Sequence, residues 1–186
     1  MKRSVCVLLA VLGFAVGCDY RAPLSADAEI PIDKAVLGLW ESVPSLEAPS
    51  RLLVIKDQEN QYLIHAQSGT RDQYFRAYPI KLGGIVCLQV QAVDLAKGKI
   101  MLNENQFQVV AYTVANNELE IKTLNPAQVD QTLPDSAALR RAFLDNKDSK
   151  DLFTDPHLFL RVPVKKGMGQ SQTVPGLKPI MKPPAK

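Results

Sequence analysis

The sequence predicts a mainly β protein: an antiparallel up-and-down barrel of about eight strands with one C-terminal helix packed outside. Three observations predict it. Short runs of branched and aromatic residues follow one another between turn residues at near-regular spacing. Apolar and polar residues alternate along the clearest hairpin. Helical periodicity is confined to one stretch near the end, and closure would remove both exposed edges of so long a meander.

The candidate strands lie between Val36 and Val162. In order, they are VLGLWESV, RLLVIKDQ, NQYLIHAQ, YFRAYPIKL, IVCLQVQAV, FQVVAYTVA, ELEIKTL and, after the helix, HLFLRV. Two of the connections are two-residue turns. Gly83-Gly84 and Asn116-Asn117 suit the primed turns of tight hairpins, because glycine and asparagine enter the positive-φ region most readily.

The second of these turns predicts a strand register. With Asn116 and Asn117 at the turn, Ala115 stands opposite Glu118 and Val114 opposite Leu119, and paired residues share a face. The predicted apolar face carries Val110, Tyr112, Val114, Leu119, Ile121 and Thr123. The opposite face carries Ala111, Thr113, Glu118, Glu120 and Lys122. We therefore expect one face towards the core and one towards water.

Two helix-start signals precede the last strand. Asn125-Pro126 and Asp135-Ser136 each offer a side-chain oxygen that can cap backbone N–H groups. The segment AALRRAFLDN follows the second, and its apolar stripe consists of Leu139, Ala142 and Phe143. We expect this helix to pack on the outside of the sheet, against Phe107 and Val109.

The N-terminus has the pattern of an export signal. Lys2 and Arg3 precede an apolar run over residues 5–16, which ends in Gly17-Cys18. About twelve helical residues reach about 18 Å, short of a hydrocarbon core of about 30 Å, so a spanning helix is not expected. Small residues followed by cysteine resemble the signal of bacterial lipoproteins, in which the cysteine becomes the lipid-bearing first residue.

That resemblance implies a location. Lipid chains on Cys18 would anchor the protein to a membrane of the bacterial cell envelope, facing the periplasm, because more than one acyl chain makes attachment stable. Asp19 resembles the signal that retains some lipoproteins in the inner membrane. Because that rule varies between lineages, the choice between inner and outer membrane stays open.

The composition divides the chain into four parts. Residues 1–17 are the predicted signal peptide, and residues 18–35 are polar, contain two prolines and read as a tether from Cys18. Residues 36–162 are the predicted barrel domain. Residues 163–186 are rich in proline and lysine, carry no acidic residue and are predicted to be disordered.

No motif in the chain indicates catalysis, a metal or a cofactor, so we predict a non-enzymatic protein. His65 and His157 lie far apart without metal-ligand spacing, and Cys87 reads as a small hydrophobic residue within a strand. The chain has 22 basic and 19 acidic residues, and removal of the signal leaves a net charge of about +1. A net charge this small produces no strong positive potential, so we do not expect nucleic acid as a partner.

One short motif resembles a known family. Gly38-Leu39-Trp40, near the start of the first strand, is similar to the G-x-W of lipocalins and related calycin barrels. The resemblance implies that Trp40 closes one end of the barrel and that an arginine from a late segment packs across its ring. Arg161, Arg140 and Arg141 are candidates for that arginine, and the sequence does not choose among them.

Two functions remain open at this point. The first is a membrane-anchored binding module that holds a small apolar or amphipathic ligand in the barrel. The second is a structural or interaction lipoprotein with a filled barrel, no ligand and an envelope protein as partner. A barrel of about eight strands accommodates either, and the volume of its lumen discriminates between them.

Overall fold

The computed structural model of the protein describes residues 19–43, 49–96 and 99–163, and for residues 95–105 it describes the backbone alone. Within these ranges, eight strands form the sheet. They are β1 (Gly38–Ser42), β2 (Ser50–Gln58), β3 (Gln61–Ser68), β4 (Arg71–Leu82), β5 (Ile85–Ala96), β6 (Lys99–Ala115), β7 (Glu118–Leu124) and β8 (Phe153–Arg161). A short 3₁₀ helix (Lys34–Val36) precedes β1, and one α-helix, α1 (Ser136–Asp145), lies between β7 and β8. The predicted signal, Cys18 and residues 164–186 lie outside the described residues.

The strands form a closed antiparallel barrel in sequence order, with β8 paired to β1. The predicted fold class is therefore confirmed. Closure leaves the described barrel without an unpaired edge strand, which is the physical advantage that favoured this topology.

The two tight turns adopt the predicted conformations. Gly83 and Gly84 have φ of 60° and 88°, and Asn116 and Asn117 have φ of 52° and 64°. The β6–β7 register follows from the second turn as predicted, from Ala115 opposite Glu118 outward to Val110 opposite Thr123.

Two hydrophobic cores lie on opposite faces of the barrel wall. The inner core fills the lumen and includes Trp40, Leu52, Val54, Tyr62, Phe75, Ala77, Leu88, Val90, Val110, Leu119 and Phe159. The outer core lies on β4, β5 and β6 and includes Tyr20, Leu24, Tyr78, Ile80, Cys87, Val109, Val129, Leu139 and Phe143. Along this part of the wall successive residues face different cores, such as Ala77 and Tyr78. Both faces of the wall are buried there. The single wet face was predicted for the β6–β7 hairpin, where Thr113 and Glu118 are exposed while Val110 and Leu119 are buried.

Helix α1 covers part of the outer core, as predicted. The Asp135 carboxylate accepts a hydrogen bond from the Ala138 N–H at 2.8 Å and caps the helix. Leu139 and Phe143 are buried in the same cluster as Val109, and Phe107 packs against it.

The other predicted helix start, at Asn125, is wrong. The Asn125 side chain accepts a hydrogen bond from the Ala127 N–H at 3.0 Å, and the chain makes a turn there. A few residues later Asp130 accepts one from the Thr132 N–H at 2.8 Å. Such local side-chain bonds to the backbone compete with helix propagation, so the segment turns instead.

The expectation that residues 18–35 form a tether is corrected for the described residues 19–35. Tyr20 and Leu24 are almost completely buried in the outer core. The Tyr20 N–H donates to the Phe107 carbonyl at 2.7 Å, and the Phe107 N–H donates to the Tyr20 carbonyl at 3.0 Å. The sequence did not predict this packing because Tyr20 and Leu24 are isolated apolar residues, and their spacing follows neither a helical nor a strand period.

Candidate functional site

Trp40 closes one end of the lumen. Its side chain is 0% exposed, and its indole Nε1–H donates to the Val36 carbonyl at 2.8 Å. Val36 belongs to the 3₁₀ helix that precedes β1 and is itself part of the inner core. The bond satisfies the polar atom of a buried tryptophan and ties the 3₁₀ helix to β1.

Among the three candidate arginines, the structure places Arg161 on Trp40. The guanidinium carbon of Arg161 lies 4.1 Å from the centre of the Trp40 ring, a cation–π distance. The two residues are direct neighbours across the β1–β8 pairing. The guanidinium also donates to the Leu37 carbonyl at 2.8 Å and to the Ala35 carbonyl.

The other two arginines lie elsewhere. Arg140 donates to the Leu24 carbonyl and to Glu29, each at 3.1 Å, and so holds the N-terminal segment. Arg141 is exposed on α1.

Gly38 is required by the position of Arg161. Its φ is 131°, and a Cβ added there would lie 2.8 Å from Nη1 of Arg161. A side chain at position 38 would therefore strain the backbone and displace the guanidinium. The contacts of Arg161 therefore explain why the G-x-W motif has a glycine at position 38, and the stacking and hydrogen bond of Trp40 explain its tryptophan.

The lumen behind Trp40 is almost filled. The remaining cavity has a volume of about 40 Å³. It is lined by Val36, Leu52, Val54, Ile64, Ala66, Phe75, Leu88, Val90, Gln108, Val110, Tyr112, Leu119 and Ile121. Ligand pockets usually measure about 300–1,000 Å³, so this cavity is far smaller than a pocket for a lipid-sized molecule.

Two tyrosines at the lumen stay in their neutral form. The Tyr62 hydroxyl accepts from the Asp33 N–H at 2.6 Å and donates to the Asp33 carbonyl at 3.1 Å. Burial raises the pKa of Tyr62, and the nearby Tyr112 raises it further. Burial also raises the pKa of Tyr112. A phenol with a raised pKa is a weaker acid, so both hydroxyl groups keep their protons near neutral pH.

A larger groove lies outside the barrel, beside β6 and β7. Its volume is about 300 Å³. It is lined by Ile85, Ala111, Tyr112, Thr113, Glu120, Lys122, Lys147, Ser149, Lys150, Leu152 and Phe153. Two of its lysines lie against carboxylates, Lys122 at 3.0 Å from Glu120 and Lys147 at 3.1 Å from Asp148. A third lysine, Lys150, also lines the groove, so the lining carries a net positive charge.

The two histidines and the described cysteine lie on three different strands, β3, β5 and β8. His65 contacts Asp72 at 2.8 Å and stacks on Tyr74, while His157 lies on β8. Cys87 is completely buried, and burial raises the pKa of its thiol to about 12. Among the described residues, no group of three His, Cys, Asp or Glu side chains could hold a metal ion.

An exposed aliphatic surface on β8, β1 and β2 was not anticipated. We call it the outer apolar wall, and it consists of Val43, Leu53, Ile55, Leu158 and Leu160. Leu53, Ile55 and Leu160 are 40%, 45% and 43% exposed. The sequence carried a signal, because RLLVI is apolar at four successive positions and a strand with one wet face should alternate.

The fold and the Trp40 closure together define a calycin-like barrel with one helix outside. Comparison with known proteins finds no family model, no curated protein and no solved structure that matches this chain. Within the described ranges, no helix has the length and apolar character needed to cross a membrane.

Proposed function

We propose that this protein is a non-enzymatic lipoprotein of the bacterial cell envelope, anchored through Cys18, that works by contact with another envelope protein. The observation that carries the proposal is the filled lumen, whose cavity of about 40 Å³ has no room for a lipid-sized ligand. A barrel filled by its own side chains is a rigid scaffold, and its function then lies on its outer surface.

The outer apolar wall supports the choice of a protein partner. Its exposed leucines and isoleucine lie on neighbouring strands, and clustered exposed aliphatic side chains are typical of contact surfaces. Within this surface Arg51 and Glu41 form an ion pair at 2.7 Å. Such a polar pair among apolar residues resembles the mixed character of non-obligate protein interfaces.

A small apolar ligand remains the second candidate function. The supporting observation is that the residual cavity is lined almost entirely by aliphatic and aromatic side chains. Such a cavity stays dry and accepts small apolar molecules if its lining moves. Binding of anything larger would require displacement of buried side chains such as Phe75.

The anchor is tested by fatty-acid labelling in cells. We expect the wild-type protein to incorporate label and Cys18→Ser to lose it, because the thioether link needs the Cys18 thiol. Cys87→Ser is the matched control and should keep the label. Equal labelling of wild type and Cys18→Ser would contradict the anchor.

Titration with an apolar fluorescent probe separates the two candidate functions. The filled-barrel proposal predicts no saturable binding to the wild-type protein. Phe75→Ala, which enlarges the lumen, should gain binding and so show that the probe can detect a cavity. Saturable binding to wild type, abolished by Ala66→Val in the lumen, would favour the small-ligand function instead.

A further inference from the structure

We propose that the groove beside β6 and β7 binds a phosphate monoester that carries a compact apolar group. The groove lies outside the barrel, so this site is separate from the filled lumen, and it shares no residue with the outer apolar wall. The proposal goes beyond the contact with a protein partner and does not depend on the lipid anchor at Cys18.

The first step is the size of the groove. It lies between the outer face of the β6–β7 hairpin and the segment 147–153 that links α1 to β8. Its volume of about 300 Å³ is at the lower end of the range for small-molecule pockets and equals that of about ten water molecules. Ala111, opposite Lys122 in the β6–β7 pairing, contributes only a methyl group to the lining and so leaves this space open.

The second step is the charge of the lining. Its charged residues are three lysines and one glutamate, namely Lys122, Lys147, Lys150 and Glu120. The lining therefore carries two net positive charges. A phosphate monoester carries a charge of about −1.5 to −2 near neutral pH, which matches this excess. Lysine ammonium groups bind phosphate as point charges, so several of them around one groove favour a phosphate over a singly charged group.

The third step is that the ammonium groups are available to a ligand. Lys150 is exposed and forms no ion pair within the part of the chain that the structure describes. Lys122 and Lys147 pair with Glu120 and Asp148, and all four of these side chains are more than a third exposed. Exposed ion pairs of this kind contribute little to stability, so both lysines can turn towards a bound phosphate at small cost.

The fourth step is that the groove is already formed without a ligand. The stem of Lys147 packs against the β4–β5 turn, since a Cβ added at Gly83 would lie 3.1 Å from Cδ of Lys147. The segment 147–153 is held by Asn125, whose side-chain amide donates to the Asp151 carbonyl at 2.9 Å. The Asn125 N–H donates to the Leu152 carbonyl at 2.9 Å. A site whose wall is held in place loses less conformational entropy on binding.

The fifth step is the apolar part of the lining, which indicates the rest of the ligand. Ile85, Leu152 and Phe153 line the groove, and all three belong to the outer core or pack against it. Thr113 and Ser149 add two hydroxyl groups, which are able to donate hydrogen bonds to phosphate oxygens. The lining thus combines apolar and cationic surface, and it suits an ester with an apolar group better than inorganic phosphate.

The test is calorimetric titration of the full chain, in a non-ionic detergent, with 1-naphthyl phosphate. We expect saturable binding of one molecule per chain. Inorganic phosphate lacks the apolar group and 1-naphthol lacks the charge, so each should bind at least about tenfold more weakly. Absence of saturable binding of 1-naphthyl phosphate, or equal affinity for 1-naphthol, would overturn the proposal.

Charge variants assign the binding to the groove. Lys150→Gln should weaken binding about tenfold, because it removes a charge-assisted contact. Lys56→Gln, at an exposed position of β2 outside the groove, is the matched control and should leave the affinity unchanged. Glu120→Gln should tighten binding several-fold, because it removes a repelling carboxylate and releases Lys122. Equal affinities for Lys150→Gln and Lys56→Gln would overturn the site.

A steric variant tests the same site without a change of charge. Ala111→Ile places a larger, β-branched side chain in the groove and should abolish binding, while a strand accepts isoleucine readily. Unchanged affinity of Ala111→Ile, in protein that keeps the wild-type urea midpoint, would overturn the site.

Competition distinguishes two sources of the phosphate monoester, a lipid headgroup and a soluble ester. Dihexanoyl phosphatidic acid and butyl phosphate are each titrated against bound 1-naphthyl phosphate. Displacement at the lower concentration by the phosphatidic acid supports a lipid headgroup as the ligand, and displacement at the lower concentration by butyl phosphate supports a soluble ester. Failure of both to displace the probe would overturn a phosphate site.

Discussion

At the scale of single residues, the contact of Arg161 with Trp40 joins three parts of the chain. Arg161 on β8 stacks on Trp40 of β1, and its guanidinium donates to the carbonyl of Ala35, within the 3₁₀ helix, and to that of Leu37, directly after it. Charge-assisted bonds of this kind are stronger than neutral ones, and the cation–π contact adds to them. This one side chain thus links the last strand to the first strand and to the 3₁₀ helix that precedes it.

Arg161→Ala should lower the free energy of unfolding by about 2–3 kcal/mol, because it removes the stacking contact and leaves the carbonyls of Leu37 and Ala35 without these donors. Urea unfolding measures the change. Arg141→Ala, at an exposed position on α1, is the control and should stay within about 0.5 kcal/mol. Equal losses in the two variants would contradict a special role for Arg161.

Trp40 is the single tryptophan of the chain, so tryptophan fluorescence reports on the surroundings of this one side chain. A fully buried indole should emit at short wavelength, resist quenching by iodide and shift to longer wavelength on unfolding. Trp40→Ala should cost about 3–5 kcal/mol, as for other large-to-small core changes. Free quenching of the native emission would contradict the burial of Trp40.

Glu29 should make the stability depend on pH. Burial raises its pKa, but hydrogen bonds from Arg140 and the Lys81 N–H outweigh burial and hold the pKa below the usual 4.5. A carboxylate whose pKa is depressed by folding stabilises the protein above the unfolded pKa, and that stabilisation is lost as the pH falls through the folded pKa.

The urea midpoint of wild type should therefore fall more steeply than that of Glu29→Gln as the pH is lowered from about 5 to about 3. Glu59→Gln, at an exposed turn, serves as the control and should keep the steep wild-type profile. Parallel profiles for wild type and Glu29→Gln would rule out this contribution.

At the scale of structural elements, the segment before β1 is part of the domain. Residues 19–33 cover β4, β5 and β6 together with α1, and without them the outer core would lose Tyr20 and Leu24. The buried side chain of Gln89 fixes the position of this segment on the barrel. It accepts a hydrogen bond from the Leu24 N–H and donates one to the Gln108 carbonyl at 3.2 Å.

A variant that begins at Lys34 should be several kcal/mol less stable than one that begins at Asp19 and should expose apolar surface to a hydrophobic dye. Leu24→Ala, a milder change, should cost about 2–5 kcal/mol for loss of a fully buried leucine. Equal urea midpoints for the two shortened variants would show that the segment contributes nothing to the fold.

At the scale of the whole molecule, the barrel wall between the two cores is shielded on both sides. Cys87 on β5 belongs to the outer core, and burial raises the pKa of its thiol to about 12. A thiol that is buried and protonated reacts only when the structure opens, because the thiolate is the nucleophile. Its reactivity should therefore report on opening of the outer core.

In the variant that begins at Asp19, which keeps Cys87 as its one cysteine, a thiol reagent should modify Cys87 orders of magnitude more slowly than in the urea-unfolded chain. An introduced Glu118→Cys thiol, at an exposed position, should react rapidly and shows that the reagent is active. Rapid native reaction of Cys87 would contradict the packing of the outer core.

Much of the barrel was predictable because local chemistry determines it. The positive-φ turns at Gly83-Gly84 and Asn116-Asn117, the β6–β7 register and the cap at Asp135 each depend on residues a few positions apart. Closure followed from the number of strands and the cost of exposed edges. The failed helix at Asn125 shows the limit of such signals, since the same side chain also favours a turn.

The sequence by itself determined the order of the strands, their turns and the barrel class, because alternation and turn preference act over short distances in the chain. The tertiary structure decided which arginine packs on Trp40, whether the lumen is filled and whether residues 19–35 join the core. Tyr20 meets Phe107, and Arg161 meets Trp40, across about a hundred residues of sequence. Contacts so distant depend on how the barrel closes and on the volumes that its side chains fill, and no local pattern carries that information.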